Sequence, residues 1–220
     1  MGFQRLSGTA SKDSKNSALY ENLTEGEHEA RLVYVADCGL QAREYMGEVK
    51  PPAQQIALCL EIIGESVTID GIVQPRIIWT KPFNIFGRMD SKSTEYKMYR
   101  AFVTQAKEDT VADWEVVLGS PVNVIIKHHK KDEETTYDNV DGLVAIPQKY
   151  ASNVGPALTA DISIAGSEDE GSAPIRNLFG LAKYVHDKRL TDGGTPPTPK
   201  AVSNAKPVAT EESFDSDVPF

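Results

Sequence analysis

The sequence predicts a mainly β protein: a small five-stranded barrel with one helix between its third and fourth strands, followed by a flexible C-terminal extension. Three observations lead there. Apolar and polar residues alternate with period two over five separate stretches between residues 27 and 146. After Ser91 the apolar spacing becomes helical for one stretch. Beyond residue 150 the composition loosens into Ala, Ser, Gly and Glu, and later into Gly, Pro, Thr, Ser, Lys and Ala.

Residues 1–25 are rich in Ser, Lys and Asn and are expected to form a flexible N-terminal segment. The first strand is Glu27–Ala36, with Ala30, Leu32 and Tyr34 on one side and Glu29, Arg31 and Val33 on the other. A polar loop, Cys38–Pro52, carries Gly39, Gly47 and Pro51-Pro52. The second strand, Gln54–Ile63, points Ile56, Leu58, Leu60 and Ile62 one way, and a turn at Asp70-Gly71 leads to the third, Ile72–Lys81. Ser91 or Ser93 then caps a helix with Tyr96, Tyr99, Phe102, Val103 and Ala106 on its apolar face and Lys92, Lys97, Arg100 and Lys107 on the other. Leu118-Gly119 breaks the crossover, Val122–Lys130 is the fourth strand, Lys131–Glu134 a charged turn, and Thr135–Ile146 the fifth strand.

Five strands with a helix between the third and fourth is the order of the OB-fold, a Greek-key barrel whose helix plugs its open end; other five-stranded barrels give a similar string. The expected division is a barrel domain over 26–150 and an extension over 151–190. In the extension Ile175–Leu190 reads as one amphipathic helix with Ile175, Leu178, Phe179, Ala182 and Val185 in register. Residues 191–220 read as a disordered linker with an acidic tip.

Several function classes are set aside by what the chain lacks. No run approaches 18 apolar residues, because even Ile56–Ile63 contains Glu61, so no membrane span is expected. The N-terminus has no apolar core of a signal peptide, and two cysteines build no disulfide framework. A reduced cytoplasmic setting follows, with Cys38 as a loop thiol and Cys59 as a core thiol. There is no GxG, no GxxxxGK, no CxxC and no HExxH, so neither an enzyme nor a cofactor is expected. His128 and His129 are adjacent on a strand and face opposite sides, which makes a shared metal ion awkward.

The net charge of −9 argues against nucleic acid until its placement is considered. Val73–Lys107 holds seven basic residues against Asp90 and Glu95, a local charge of +5, and six of the seventeen aromatic residues. Acidic residues concentrate in Glu21–Glu29, Asp161–Glu170 and Glu211–Asp217. Aromatic residues interleaved with Lys and Arg suit single-stranded nucleic acid, which offers flat bases and a regularly charged backbone. In an OB-fold the groove lies on strands two and three and the loops after strands one and four. The candidates are therefore Arg43, Tyr45 and Lys50 from the first loop; Arg76, Trp79, Lys81, Phe83, Phe86 and Arg88 from the third strand onward; and Lys127, His129 and Lys130 from the end of the fourth.

The last residues, FDSDVPF, resemble the C-terminal tip of bacterial single-stranded DNA-binding proteins, with Asp215, Asp217, Val218, Pro219 and Phe220 at the matching positions. A terminal Phe and its carboxylate offer a partner one apolar and one ionic contact, and nearby Asp residues add long-range attraction. The body is similar in its order of features to phage-encoded single-stranded DNA-binding proteins. The shared features are Ala-Asp-Cys-Gly at 36–39, the basic helix, Leu-Gly-Ser at 118–120 and Tyr-Asp-Asn at 137–139. That resemblance covers roughly residues 26–150 and the last seven; residues 151–190 have no counterpart in it. It implies a protein that coats single-stranded DNA in replication or recombination, recruits replication proteins through its tip, and works in the cytoplasm of a host cell. A strand-annealing mediator and a protein-interaction OB module are the alternatives, and self-association is left open.

Overall fold

A computed structural model of the chain describes residues 22–69, 71–130 and 136–190; residues 1–21 of the expected flexible segment 1–25, the linker and tip at 191–220 and the charged turn lie outside the described residues. In the remainder of that N-terminal segment, Leu23 is buried and its N–H donates to Asp138 at 3.0 Å. The elements in chain order are β1 (Gly26–Tyr45), β2 (Glu48–Ile69), β3 (Ile72–Trp79), β4 (Phe83–Ile85), α1 (Thr94–Arg100), β5 (Pro121–Lys130), β6 (Thr136–Val144), α2 (Gln148–Ala151), β7 (Ser163–Ala165), α3 (Ala173–Arg176) and α4 (Gly180–Asp187). The strands form one sheet in the order β3-β2-β1-β5-β6, with β4 added to β2 and β7 to β1. The pairings are antiparallel except β1–β7, and the sheet curls into a half-barrel.

Alternation builds the concave core as expected. Ile56, Leu58, Leu60 and Ile62 of β2 meet Val122, Val124 and Ile126 of β5, together with Ala30, Leu32 and Val35 of β1. Fully burying each of the larger aliphatic side chains contributes about 1.5–3 kcal/mol. Met89, Tyr99, Trp114 and Val117 join the same core; the Trp114 ring meets Tyr99 edge-on at 5.3 Å and Phe83 at 6.1 Å.

Three differences from the expected elements have identifiable causes. The expected loop Cys38–Pro52 is instead the continuation of β1 and β2 into a long hairpin arm. Its two-residue turn, Met46-Gly47, has φ of 52° and 77°, the geometry whose twist matches paired strands. Pro51 and Pro52 cannot donate to a ladder, and the register shifts beside them, between Gln41 and Arg43. In β1 a second irregularity between Leu32 and Tyr34 inserts Val33 and changes the parity of the strand. Tyr34, expected beside Ala30 and Leu32, therefore points to the opposite face and stacks with Trp79 at 6.5 Å. The expected helix Ile175–Leu190 is two short helices, because Phe179 is extended and Gly180 has φ of 56°; Phe179 is left exposed.

The α1 helix starts where Ser93 accepts the Tyr96 N–H at 3.1 Å, and it ends at Arg100, short of the expected face through Ala106. Glu95 in its first turn is buried at 5 % exposure. It accepts the Phe86 N–H, but its Oε2 has no hydrogen-bond partner. Burial raises the Glu95 pKa above its ordinary 4.5, with the Phe86 bond opposing the rise. The folded protein thus favours protonated Glu95. Its stabilising contribution is complete below about pH 4.5 and is lost as pH rises through the raised folded value. Thermal unfolding from pH 4 to pH 8 should show Glu95→Gln gaining stability relative to the unaltered chain as pH rises; a constant difference across that range would contradict this.

Candidate nucleic-acid interface

The sheet has a second buried face. On the outer side of β1, β2 and β3, Val33, Tyr34, Ala36, Cys38, Ala57, Cys59 and Trp79 form a cluster with Ala165, Ile175, Leu178 and Ala182 of the C-terminal extension. Two charged residues opposite each other in the β1–β2 ladder, Arg31 and Glu61, hold this segment. Arg31 donates to the carbonyls of Gly155 at 2.6 Å, Gly119 at 2.6 Å and Val154 at 2.8 Å. Glu61 accepts the Leu158 N–H at 2.6 Å, the Thr159 N–H at 2.9 Å and the Thr159 hydroxyl at 2.6 Å. The Trp79 indole N–H donates to the Asn177 carbonyl at 3.0 Å. At the far end, Gln41 donates to the Val185 carbonyl and the Leu190 N–H to the Leu40 carbonyl. Gly39 has φ of 78°, and a Cβ there would lie 2.7 Å from the Cβ of Arg189, so this crossing requires glycine.

Burial also sets the chemistry of this face. It pushes the Tyr34 phenol and the Cys38 thiol each up to about 12, and the Cys59 thiol well above its ordinary value. Both cysteines are buried, so Cys38 is not the loop thiol expected from the sequence.

The sequence candidates divide into four groups. Trp79, at 8 % exposure, lies beneath the extension, and Phe83, at 5 %, lies in the concave core; neither ring presents a face to a base. Phe83 lies beyond the end of the expected third strand, and its burial follows from the pairing of Phe83 in β4 with Ile56 in β2. Arg76 reaches across from β3 to β6, where its guanidinium bonds Asp138 at 2.7 Å with both side chains largely buried. Asp138 also accepts the Leu23 N–H and lies 3.6 Å from His128. Arg76 therefore ties the two border strands of the half-barrel rather than lining a surface.

The third group comes together. In the arm, Arg43 and Lys50 are directly opposed in the ladder and share a face with Tyr45, two residues from Arg43. Phe86, which follows β4, lies under the Arg43 guanidinium at 5.4 Å. Tyr45 is 63 % and Phe86 55 % exposed. Lys50 pairs with Glu48. Nearby in sequence, Lys81 and Arg88 are exposed, and Arg88 donates to the Asp109 carbonyl at 2.8 Å.

The fourth group stands apart. Lys127, His129 and Lys130 are exposed on the β5–β6 hairpin, and Lys127 pairs with Asp141 at 2.7 Å. Because Gly26 pairs with Ile126, this hairpin extends beyond the N-terminal end of β1, whereas the arm is its C-terminal end. The ladder thus places the two cationic groups at opposite ends of β1.

Sequence reasoning missed Arg31 and Glu61. The signal was present in part: Glu61 interrupts the most apolar run of the chain, and a carboxylate there requires partners. Among the described residues no cluster of His, Cys, Asp or Glu could hold a metal ion, and no helix is long and apolar enough to cross a membrane. No protein-family model, curated protein or solved structure matches this chain.

Removing one partner of a largely buried ion pair leaves the other uncompensated, at a cost of about 3–5 kcal/mol. Arg76→Ala should therefore lower the urea midpoint of unfolding by that equivalent. A variant of native stability would show that Arg76 does not join the border strands.

Proposed function

We propose that this chain is a sequence-independent single-stranded DNA-binding protein built on an OB-type barrel, acting in phage DNA replication or recombination. The strand order carries the reading. With β4 taken as a short addition to β2, the order β3-β2-β1-β5-β6 with α1 preceding β5 follows the third-second-first-fourth-fifth order of an OB barrel. Exposed cations interleaved with exposed aromatic residues support the same ligand class. Basic residues neutralise phosphates, aromatic residues stack on bases, and the tip Asp215, Asp217, Val218, Pro219 and Phe220 recruits other replication proteins. The covered outer face of β2 and β3 favours one alternative, a barrel that serves protein interaction and takes no oligonucleotide.

Fluorescence anisotropy of labelled oligo-dT and of a duplex of equal length, each at two salt concentrations, tests the proposal. The single strand should be preferred, with affinity falling steeply as salt rises, because each neutralised phosphate releases counterions. Equal affinity for duplex, or no binding of either, would overturn it.

A further inference from the structure

Resting on the single-strand reading above, we infer that bases stack on the β1–β2 arm, on Phe86 and Tyr45, and not on the outer face of β2 and β3. The central outer face is occupied by the chain itself. To reach Trp79 a base must displace the segment carrying Asn177, Ile175 and Leu178. Displacing the segment further, as far as Leu158 and Thr159, would strip Glu61, only 2 % exposed, of three hydrogen bonds. A hydrogen bond to a charged group is worth about as much as the stacking of one base, and three are lost. A single stacked base does not offset that loss.

Among the described residues, the extension reaches along β1 only to the base of the arm. Its last described contacts with β1 are at Leu40 and Gln41, and the strand continues beyond them to Tyr45. On that stretch, which no other described part of the extension contacts, a cation and an aromatic ring alternate along β1 as Arg43 and Tyr45, with Lys50 across the ladder and Phe86 alongside. The Arg43 guanidinium over Phe86 is held where it can meet a phosphate while the exposed part of the ring receives a base. The carboxylate competing for this surface is Glu48, which is paired to Lys50; an exposed pair of this kind contributes little and yields to a phosphate. Glu44 lies one residue out of phase with Arg43 and Tyr45, on the opposite side of the arm.

Two readouts on the full chain with oligo-dT test the inference. Phe86→Ala and Tyr45→Ala remove exposed rings, and circular dichroism and thermal unfolding check that each variant keeps the fold. Each should weaken oligo-dT binding about tenfold, the loss of one stacked base. The second readout is alkylation of Cys38, whose thiol lies 3.9 Å from the Ala182 carbonyl of the extension. If bases bind the arm, Cys38 stays unreactive at saturating oligo-dT. Binding within twofold of the unaltered chain for both variants would overturn the inference, as would DNA-induced alkylation of Cys38. Absence of binding by the unaltered chain would instead overturn the single-strand reading beneath it.

Discussion

The arrangement depends on how two opposed charges on the outside of the half-barrel are satisfied. Half-buried Arg31 and buried Glu61 face each other across β1 and β2, and each is met by hydrogen-bond partners from the extension. Burying an ionised group is costly unless its hydrogen-bonding capacity is met. Here backbone meets most of it, with carbonyls of Val154 and Gly155 for the cation and amides of Leu158 and Thr159 for the anion. These groups all lie within six consecutive residues. A stretch without regular secondary structure thereby gains fixed partners for backbone groups that would otherwise need water.

Much of the outer face follows from that anchorage. The chain leaves Thr159 to run as β7 beside β1, pairing Tyr34 with Ser163 and Ala36 with Ala165, and then folds back as α3 and α4. The irregularity at Val33 is what makes an outer core available, because it turns Tyr34 toward Trp79 while Val35 returns to the concave side. One inserted residue thus gives the same strand two apolar faces, each with its own cover.

How much of this was legible in the sequence depended on whether the signal was local. The parity of β2 and β5 could be read directly, since Ile56 to Ile62 and Val122 to Ile126 alternate without interruption. The parity of β1 could not, because a bulge leaves no mark when both faces are apolar; Leu32, Val33, Tyr34 and Val35 are all buried. The arm was read as a loop because Gly47 and the two prolines signal a break, although a two-residue turn needs only Met46 and Gly47. At the candidate interface, the interleaving of Arg43 and Lys50 with Tyr45 and Phe86 could be read from the sequence, and the two rings are exposed. The burial of Trp79, Phe83 and Arg76 could not be read, because their partners Asn177, Trp114 and Asp138 lie far along the chain. Segment 151–190 offered no family expectation, and its amphipathic pattern suited packing on the barrel as well as self-association; which face it covers could be seen only once the fold placed it.

The functional consequence is a division of the surface. The outer face of β1, β2 and β3 carries the chain's own extension, while Tyr45 lies on the hairpin at one end of β1 and Lys127, His129 and Lys130 on the hairpin at the other. Amide hydrogen exchange tests most directly whether Glu61 fastens that cover. The Leu158 and Thr159 amides should exchange as slowly as the β1–β2 ladder, and Glu61→Ala should accelerate exchange across 154–190 as a unit while the β5–β6 ladder keeps its protection. Rapid exchange at Leu158 and Thr159 in the unaltered chain, or slow exchange there in Glu61→Ala, would contradict the account.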